Sequence, residues 1–167
     1  KRIDSFQAEE KEYVATIKLG ATTPSFDLET EEDSSSQFDH IQLALVEEAL
    51  LSFLGEIEQV PPVFSAVKVN GKRAFEYARK GDELKLQARK IVIKEIKIES
   101  FELPFVKIRV VCSKGTYIRS LARDIGKYLG CGAYLTELRR TRIGRFKVED
   151  AFTVPFFLEN IDNFVTI

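Results

Sequence analysis

From Cys112 to Arg142 the chain reads CSKGTYIRSLARDIGKYLGCGAYLTELRRTR: a strand end, a Ser-Lys-Gly turn, a helix carrying Arg119 and Arg123, and a glycine-rich turn before Leu138-Arg139-Arg140. Arginines four residues apart on one helix repel modestly, and a carboxylate or phosphate beside them reverses the sign of that cost. Asp124 and Glu137 are candidate counter-ions within the chain, in which case the pairs are ordinary surface salt bridges. The other reading is a site that holds an anion. A second basic stretch, Lys72, Arg73 and Arg79, flanks Phe75 and Tyr77, an interleaving that suits phosphate contact with base stacking. The same aromatics would serve equally well as the core of a small hairpin-helix unit.

The remaining chemistry is limited by what the sequence omits. It has no GxxxxGKS/T loop, no GxGxxG, no Cys/His cluster and no GxSxG elbow, so nucleotide hydrolysis, dinucleotide binding, zinc chemistry and elbow-type hydrolysis lack support, and no cofactor or metal is implied. His40, the only histidine, falls in the first turn of an expected helix and reads as a surface residue. Cys112 and Cys131 lack metal-ligand spacing and read as buried, reduced thiols.

These residues must be positioned by a single domain: 167 residues, 44% of them apolar and 13 of them Phe, suffice for a real core. Apolar runs such as Ala49 to Leu54 and Val154 to Leu158 fall far short of the roughly 20 residues a membrane span needs, and the chain reads as soluble and cytoplasmic. With no methionine in the sequence, it is expected to be part of a longer product. The net charge of −1 hides an asymmetry: Asp27 to Glu58 holds ten acidic and no basic residues, whereas Ser113 to Asp150 holds nine basic and four acidic ones. One end should therefore be electropositive, which fits a polyanionic partner and equally a merely solvated basic face.

Period-two alternation predicts a strand over Glu10 to Leu19, closed by Gly20. Residues 20–37 read as an exposed polar loop, the segment most expected to be disordered. Asp39 as N-cap, with Phe38 and Leu43 as a staple, predicts a helix starting at His40 whose buried stripe is Ile41, Leu45, Ala49, Leu50, Phe53 and Leu54 and which stops at Gly55. The Pro61-Pro62 segment should be extended, then turn at Asn70-Gly71 into a short helix ended by Gly81. Two antiparallel strands are expected around Leu103-Pro104, over Ile91 to Ile98 and Val106 to Cys112. Ile118, Leu121, Ala122, Ile125 and Leu129 form the core stripe of the next helix. Two further strands over Tyr134 to Leu138 and Ile143 to Val148, and a terminal helix from Pro155, complete an α+β domain with a mixed, mostly antiparallel sheet flanked by helices.

Three motifs resemble the TruB family of RNA pseudouridine synthases. The first is Lys11-Glu12-Tyr13-Val14-Ala15 leading to Leu19-Gly20 and Thr23. The second runs from Gly55, Ile57 and Gln59-Val60-Pro61-Pro62-Val63-Phe64-Ser65-Ala66-Val67-Lys68 through Gly71-Lys72-Arg73-Ala74-Phe75 to Ala78-Arg79-Lys80-Gly81. The third is Cys112 to Arg119 with Asp124, Gly126, Gly130, Gly132-Ala133, Leu135 and Leu138-Arg139-Arg140-Thr141. Together they span nearly the whole chain in the family's order.

The resemblance implies isomerisation of uridine to pseudouridine in the T-loop of tRNA, without metal or cofactor, by a monomer with a pseudouridine synthase fold. It implies that Tyr13 lies over the target uracil and takes part in the later proton abstraction, and that Arg119 pairs with a catalytic aspartate and keeps it ionised. Tyr117 and Leu138 would wall the pocket for the flipped nucleotide. Residues 61–89 would be a mobile element gripping the T-arm stem-loop, with Phe64, Ser65, Lys68, Arg73, Arg79, Lys114, Arg139 and Arg140 contacting RNA. One departure stands out: the family's nucleophilic aspartate lies in a Gly-x-Leu-Asp-Pro motif upstream of the Tyr13 position, and this chain has no Asp-Pro. Asp4 lacks that context. Residues 1–167 are thus expected to be the C-terminal part of a synthase catalytic domain, inactive alone. The alternative is a non-catalytic RNA-binding or tRNA-chaperone module.

Overall fold

The computed structural model describes residue 3 and residues 8–164; Asp4 lies outside the described residues. Six strands form one antiparallel sheet: β1 (Lys11–Leu19), β4 (Gly55–Gln59), β7 (Arg89–Glu102), β8 (Phe105–Cys112), β9 (Ala133–Ile143) and β10 (Phe146–Lys147), in the order β10-β9-β1-β8-β7-β4. Alternation along β1 puts Ala15, Ile17 and Leu19 on the same face as Val106, Ile108 and Val110 of β8. Helices α1 (Leu43–Ser52) and α3 (Ile118–Tyr128) bury that face. Each fully buried Ile or Leu of this core contributes roughly 1.5–3 kcal/mol relative to exposure. The expected α+β architecture is therefore present, with every strand pair of the main sheet antiparallel.

Helix α3 rests unusually close to the sheet, because a Cβ on Gly126 would stand 2.2 Å from the Ala133 backbone nitrogen. That contact fixes the depth at which α3 carries Arg119. Between β4 and β7 the chain makes a two-stranded hairpin, β5 (Lys68–Val69) and β6 (Lys72–Arg73), and then α2 (Ala74–Ala78). Asn70 and Gly71 at its tip have φ of 51° and 80°, the paired positive values of a type I′ turn.

The structure corrects four expectations. Residues 20–37 are ordered, with β2 (Ala21–Thr22) paired to β3 (Ser34–Ser35) and Thr23 and Ser25 buried; their hydroxyls satisfy the loop's own backbone. Helix α1 starts at Leu43, after Gln42, without a side-chain cap; its buried residues are Val46, Ala49 and Leu50, while Leu54 is exposed. Of the two strands expected over Tyr134 to Leu138 and Ile143 to Val148, the first is the eleven-residue β9, which continues through Arg139 to Ile143, and the second is only the two-residue β10, because the chain turns back at Gly144. The nine basic residues of 113–150 do not form one free surface: Arg119, Arg123, Arg142 and Lys147 are in ion pairs within the chain. Beyond β10, a 3-10 turn (Val148–Asp150), α4 (Val154–Glu159) and α5 (Ile161–Phe164) end the described chain, with Phe152, Phe156, Phe157 and Leu158 exposed. Cys112 and Cys131 are free and buried, as expected.

Candidate active site

The inner face of the sheet is covered by helices at one end and open at the other. Across β1 and β9, Ala15 is the partner of Leu138 and Tyr13 the partner of Arg140, so these four side chains share that face. Ala15 is 1% exposed and Leu138 is 47% exposed, which locates the edge of the covered core. There a hollow of about 320 Å3 is lined by Asp27, Leu28, Glu29, Arg119, Leu135, Thr136, Glu137 and Leu138.

Arg119 enters this hollow from the first turn of α3. Its Nη1 donates to Asp27 Oδ2 at 2.9 Å and to the Ser25 carbonyl at 3.4 Å, and its Nη2 donates to the Phe64 carbonyl at 2.7 Å. Asp27 is fixed in turn: Oδ1 accepts from Ser25 Oγ at 2.6 Å and from the Glu29 N–H at 3.0 Å. Three segments distant in sequence, the 20–35 loop, the 59–65 segment and α3, thus converge on one guanidinium. Arg123, one turn on, bonds Asp124 at 2.8 Å and lies 4.8 Å from the Phe26 ring centre. Asp124 is the counter-ion that the sequence offered for this pair of arginines, and burial raises its carboxyl above the ordinary value despite Arg123. The other offered counter-ion, Glu137, instead accepts from Thr16 at 2.9 Å.

Tyr13 is half-buried against the core, and burial pushes its phenol above the ordinary tyrosine value; the nearby Cys112 adds to this and Arg140 opposes it. The environment therefore holds Tyr13 as a neutral phenol. Tyr117 is the N-cap residue of α3, and its backbone is held by Gln59. The hollow brings Arg119 together with Leu138, while Tyr13 stands one cross-strand pair further out.

Of the residues expected at an RNA surface, Lys68 and Arg73 are exposed cross-strand partners in the hairpin, and Lys114, Arg139 and Arg140 are exposed on the turn and on β9. Arg79 lies 5.2 Å from the Phe75 ring centre and bonds Glu29 at 3.2 Å, linking the hairpin unit to the loop that carries Asp27. Phe64 is half-buried, with its carbonyl on Arg119. Ser65 is 4% exposed in contrast to these: its carbonyl accepts the Phe75 N–H, and its buried Oγ has no hydrogen-bond partner among the described residues.

Asp27 was missed in the sequence because it follows Thr-Thr-Pro-Ser inside an acidic, polar stretch; the only available signal was the Ser25-x-Asp27 spacing, which favours a side-chain-to-backbone turn. No group of acidic, His and Cys side chains suited to a metal occurs among the described residues, and no helix among them is long and apolar enough to cross a membrane.

Comparison with known proteins places these observations in a family. Residues 1–118 match the model described as TruB family pseudouridylate synthase (N terminal domain), and residues 119–162 match the tRNA pseudouridylate synthase B C-terminal domain. The chain is 58% identical over 162 residues to tRNA pseudouridine synthase B of Phocaeicola vulgatus, covering 97% of this chain and 69% of that one. The same-named protein of Parabacteroides distasonis is 57% identical over 165 residues, covering 99% and 68%, and that of Flavobacterium johnsoniae 48% identical, covering 96% and 70%. Among solved structures, a chain of a Cbf5-Nop10-Gar1 complex superposes with a TM-score of 0.68 at 29% identity, over 96% of this chain and 40% of that one. A chain of an H/ACA RNP bound to a substrate RNA containing 2'-deoxyuridine does so with a TM-score of 0.63 at 25% identity, over 96% and 38%.

Proposed function

The chain belongs to the TruB family of pseudouridylate synthases, and on that premise we propose that its hollow is the part of a tRNA pseudouridine synthase active site that receives the target uridine of the T-loop. It is an isomerase by family, and its relatives are tRNA pseudouridine synthases. In the reaction the uridine N1–C1′ bond breaks, the uracil rotates, a C5–C1′ bond forms, the C5 proton leaves and N1 takes up a proton, so atoms balance without a co-reactant.

The observation that carries this reading is the state of Arg119. Three of its donors are committed, to Asp27 and the carbonyls of Ser25 and Phe64, while Nε–H and one Nη2–H have no partner among the described residues. A guanidinium so held can receive a second carboxylate without releasing the first. The nucleophilic aspartate, supplied by sequence outside residues 1–167, would take that place and be kept ionised by the charge beside it. Asp27 would prevent Arg119 from swinging to solvent. Leu138 and Tyr117 would wall the flipped base, and Tyr13, a neutral phenol, would pack on it and act in proton transfer only once the site supplies a base. Lys68, Arg73, Arg79, Lys114, Arg139 and Arg140 would follow the phosphates of the T-arm stem-loop, gripped by residues 61–89. The working unit would be a cytoplasmic monomer.

C5-tritium release from labelled tRNA tests this. We expect none from the 167-residue chain and turnover from the gene product extended upstream to include an Asp-Pro aspartate. Release by the short chain would refute the missing nucleophile, and salt-sensitive RNA binding without turnover by the extended protein would favour the non-catalytic RNA module.

A further inference from the structure

Gln59 is the last residue of β4 and is 2% exposed, and a buried amide is costly unless its hydrogen bonds are made. Its Oε1 accepts the Tyr117 N–H at 2.8 Å, and its Nε2 donates to the Tyr117 carbonyl at 3.1 Å. One side chain thus grips the backbone of one residue, 58 positions away, at the N-cap of α3 where no side-chain cap operates. Two further ties follow in order along the same segment. The Val60 carbonyl accepts from Ser120 Oγ at 2.8 Å and from Arg123 at 3.3 Å, and the Phe64 carbonyl accepts from Arg119 at 2.7 Å. The next two anchor points belong to the basic hairpin unit: the Ser65 carbonyl accepts from Phe75 N–H at 3.0 Å and the Val67 carbonyl from Ala74 N–H at 2.7 Å.

We propose that Gln59 is a positioning residue for the pseudouridylation reaction: it locks the root of the 61–89 segment to the first turn of α3, so that RNA bound by the basic hairpin and the Arg119–Asp27 pair are held in one rigid frame. The continuity of the ties carries this. Apart from the pairing of β4 with β7, the hydrogen bonds from Gln59, Val60 and Phe64 land on residues 117–123, the start of α3 that bears Tyr117 and Arg119, whereas those from Ser65 and Val67 land on α2. Gln59 is buried and does not line the hollow, so its removal should leave RNA affinity intact and misplace the guanidinium.

This rests on the proposed activity, and its test separates the two. In the full-length gene product, Gln59→Met keeps volume and loses both bonds, while Gln59→Glu keeps the acceptor for Tyr117 N–H. We expect Gln59→Met to lower kcat about 30-fold, within the range that roughly 1 Å of misplacement costs, with KM and the Kd for a T-arm stem-loop changed less than about threefold. Gln59→Glu should fall between it and the parent. Unchanged kcat in Gln59→Met, or a rise in KM alone, overturns the positioning role. If Gln59→Met does not fold, Gln59→Glu decides on the same criterion. An inactive parent protein would instead overturn the proposed function, and this inference with it.

Discussion

Replacing Gly126 by alanine sets two effects of known sign against each other at the place where α3 meets the sheet. Alanine is favoured over glycine within a helix by about 1 kcal/mol, so on propensity alone the variant should be more stable. The structure opposes this. The new Cβ would lie 2.2 Å from the Ala133 nitrogen, 2.4 Å from the Gly132 carbonyl carbon and 2.5 Å from the Ala133 Cβ. Each is more than about 1 Å short of ordinary contact near 3.5 Å, and two of the three obstacles are backbone at the start of β9. Relief requires α3 to lift from the sheet, at an overpacking cost of about 1–3 kcal/mol or more, so the clash is expected to outweigh propensity. We expect Gly126→Ala to be destabilised by about 1–2 kcal/mol net, read as a lower urea midpoint at unchanged m-value. Since α3 carries Arg119, the variant should also lose turnover at temperatures where it remains folded. A midpoint equal to or above that of the parent would show that α3 does not rest on Ala133 at this depth and would refute the reasoning.

Two titrations follow from the sheet surface. The hydrogen bond from Thr141, helped by Arg109 and Arg142 and opposed by burial, holds the Glu12 carboxyl below its ordinary value. Its stabilisation is therefore present above the ordinary glutamate pKa and is lost as pH falls through the depressed one. Glu12→Gln should cost about 1 kcal/mol in urea unfolding near neutral pH and nearly nothing well below the carboxylate range; an equal cost at both pH values would rule out this linkage. Burial above all raises the Tyr13 phenol, so Tyr13→Phe should remove amplitude from the alkaline end of the ultraviolet titration, above the usual tyrosine value of about 10; loss of amplitude below that value would contradict the packing around Tyr13.

Long, strongly periodic elements were legible in the sequence. The alternation of Tyr13, Ala15, Ile17 and Leu19 and the helical spacing of Ile118, Leu121, Ala122 and Ile125 are local records of a buried face, and both elements form. Asn70-Gly71 likewise encodes its turn in its own backbone. The site was less legible because its geometry is non-local. Arg119 could be singled out as a cation in need of an anion, yet its counter-ion within the chain, Asp27, lies 92 residues away in a loop whose polar composition resembles disorder. That loop is ordered by hydroxyls turned inward, as with Ser25, and composition does not reveal where hydroxyls point. Gln59 read as one letter of a motif, since nothing local distinguishes a glutamine that clamps a distant backbone from one facing water. At β9 the polar stretch Arg139 to Arg142 hid a continuous strand whose side chains pair with Glu10 and Glu12, and the turn at Gly144, inside the strand expected over Ile143 to Val148, went unread.

The central claim is that the Arg119 guanidinium, braced by Asp27, organises the catalytic half-site without being needed for RNA capture. C5-tritium release and stem-loop affinity, measured together on Arg119→Ala in the gene product extended upstream, test it most directly. We expect turnover to fall by a factor on the order of 100 to 1,000, as for loss of a charged group acting in the transition state, with Kd for the T-arm stem-loop within about threefold of the parent and a similar salt dependence. Parental turnover in Arg119→Ala, or a loss explained wholly by weaker RNA binding, would contradict the claim.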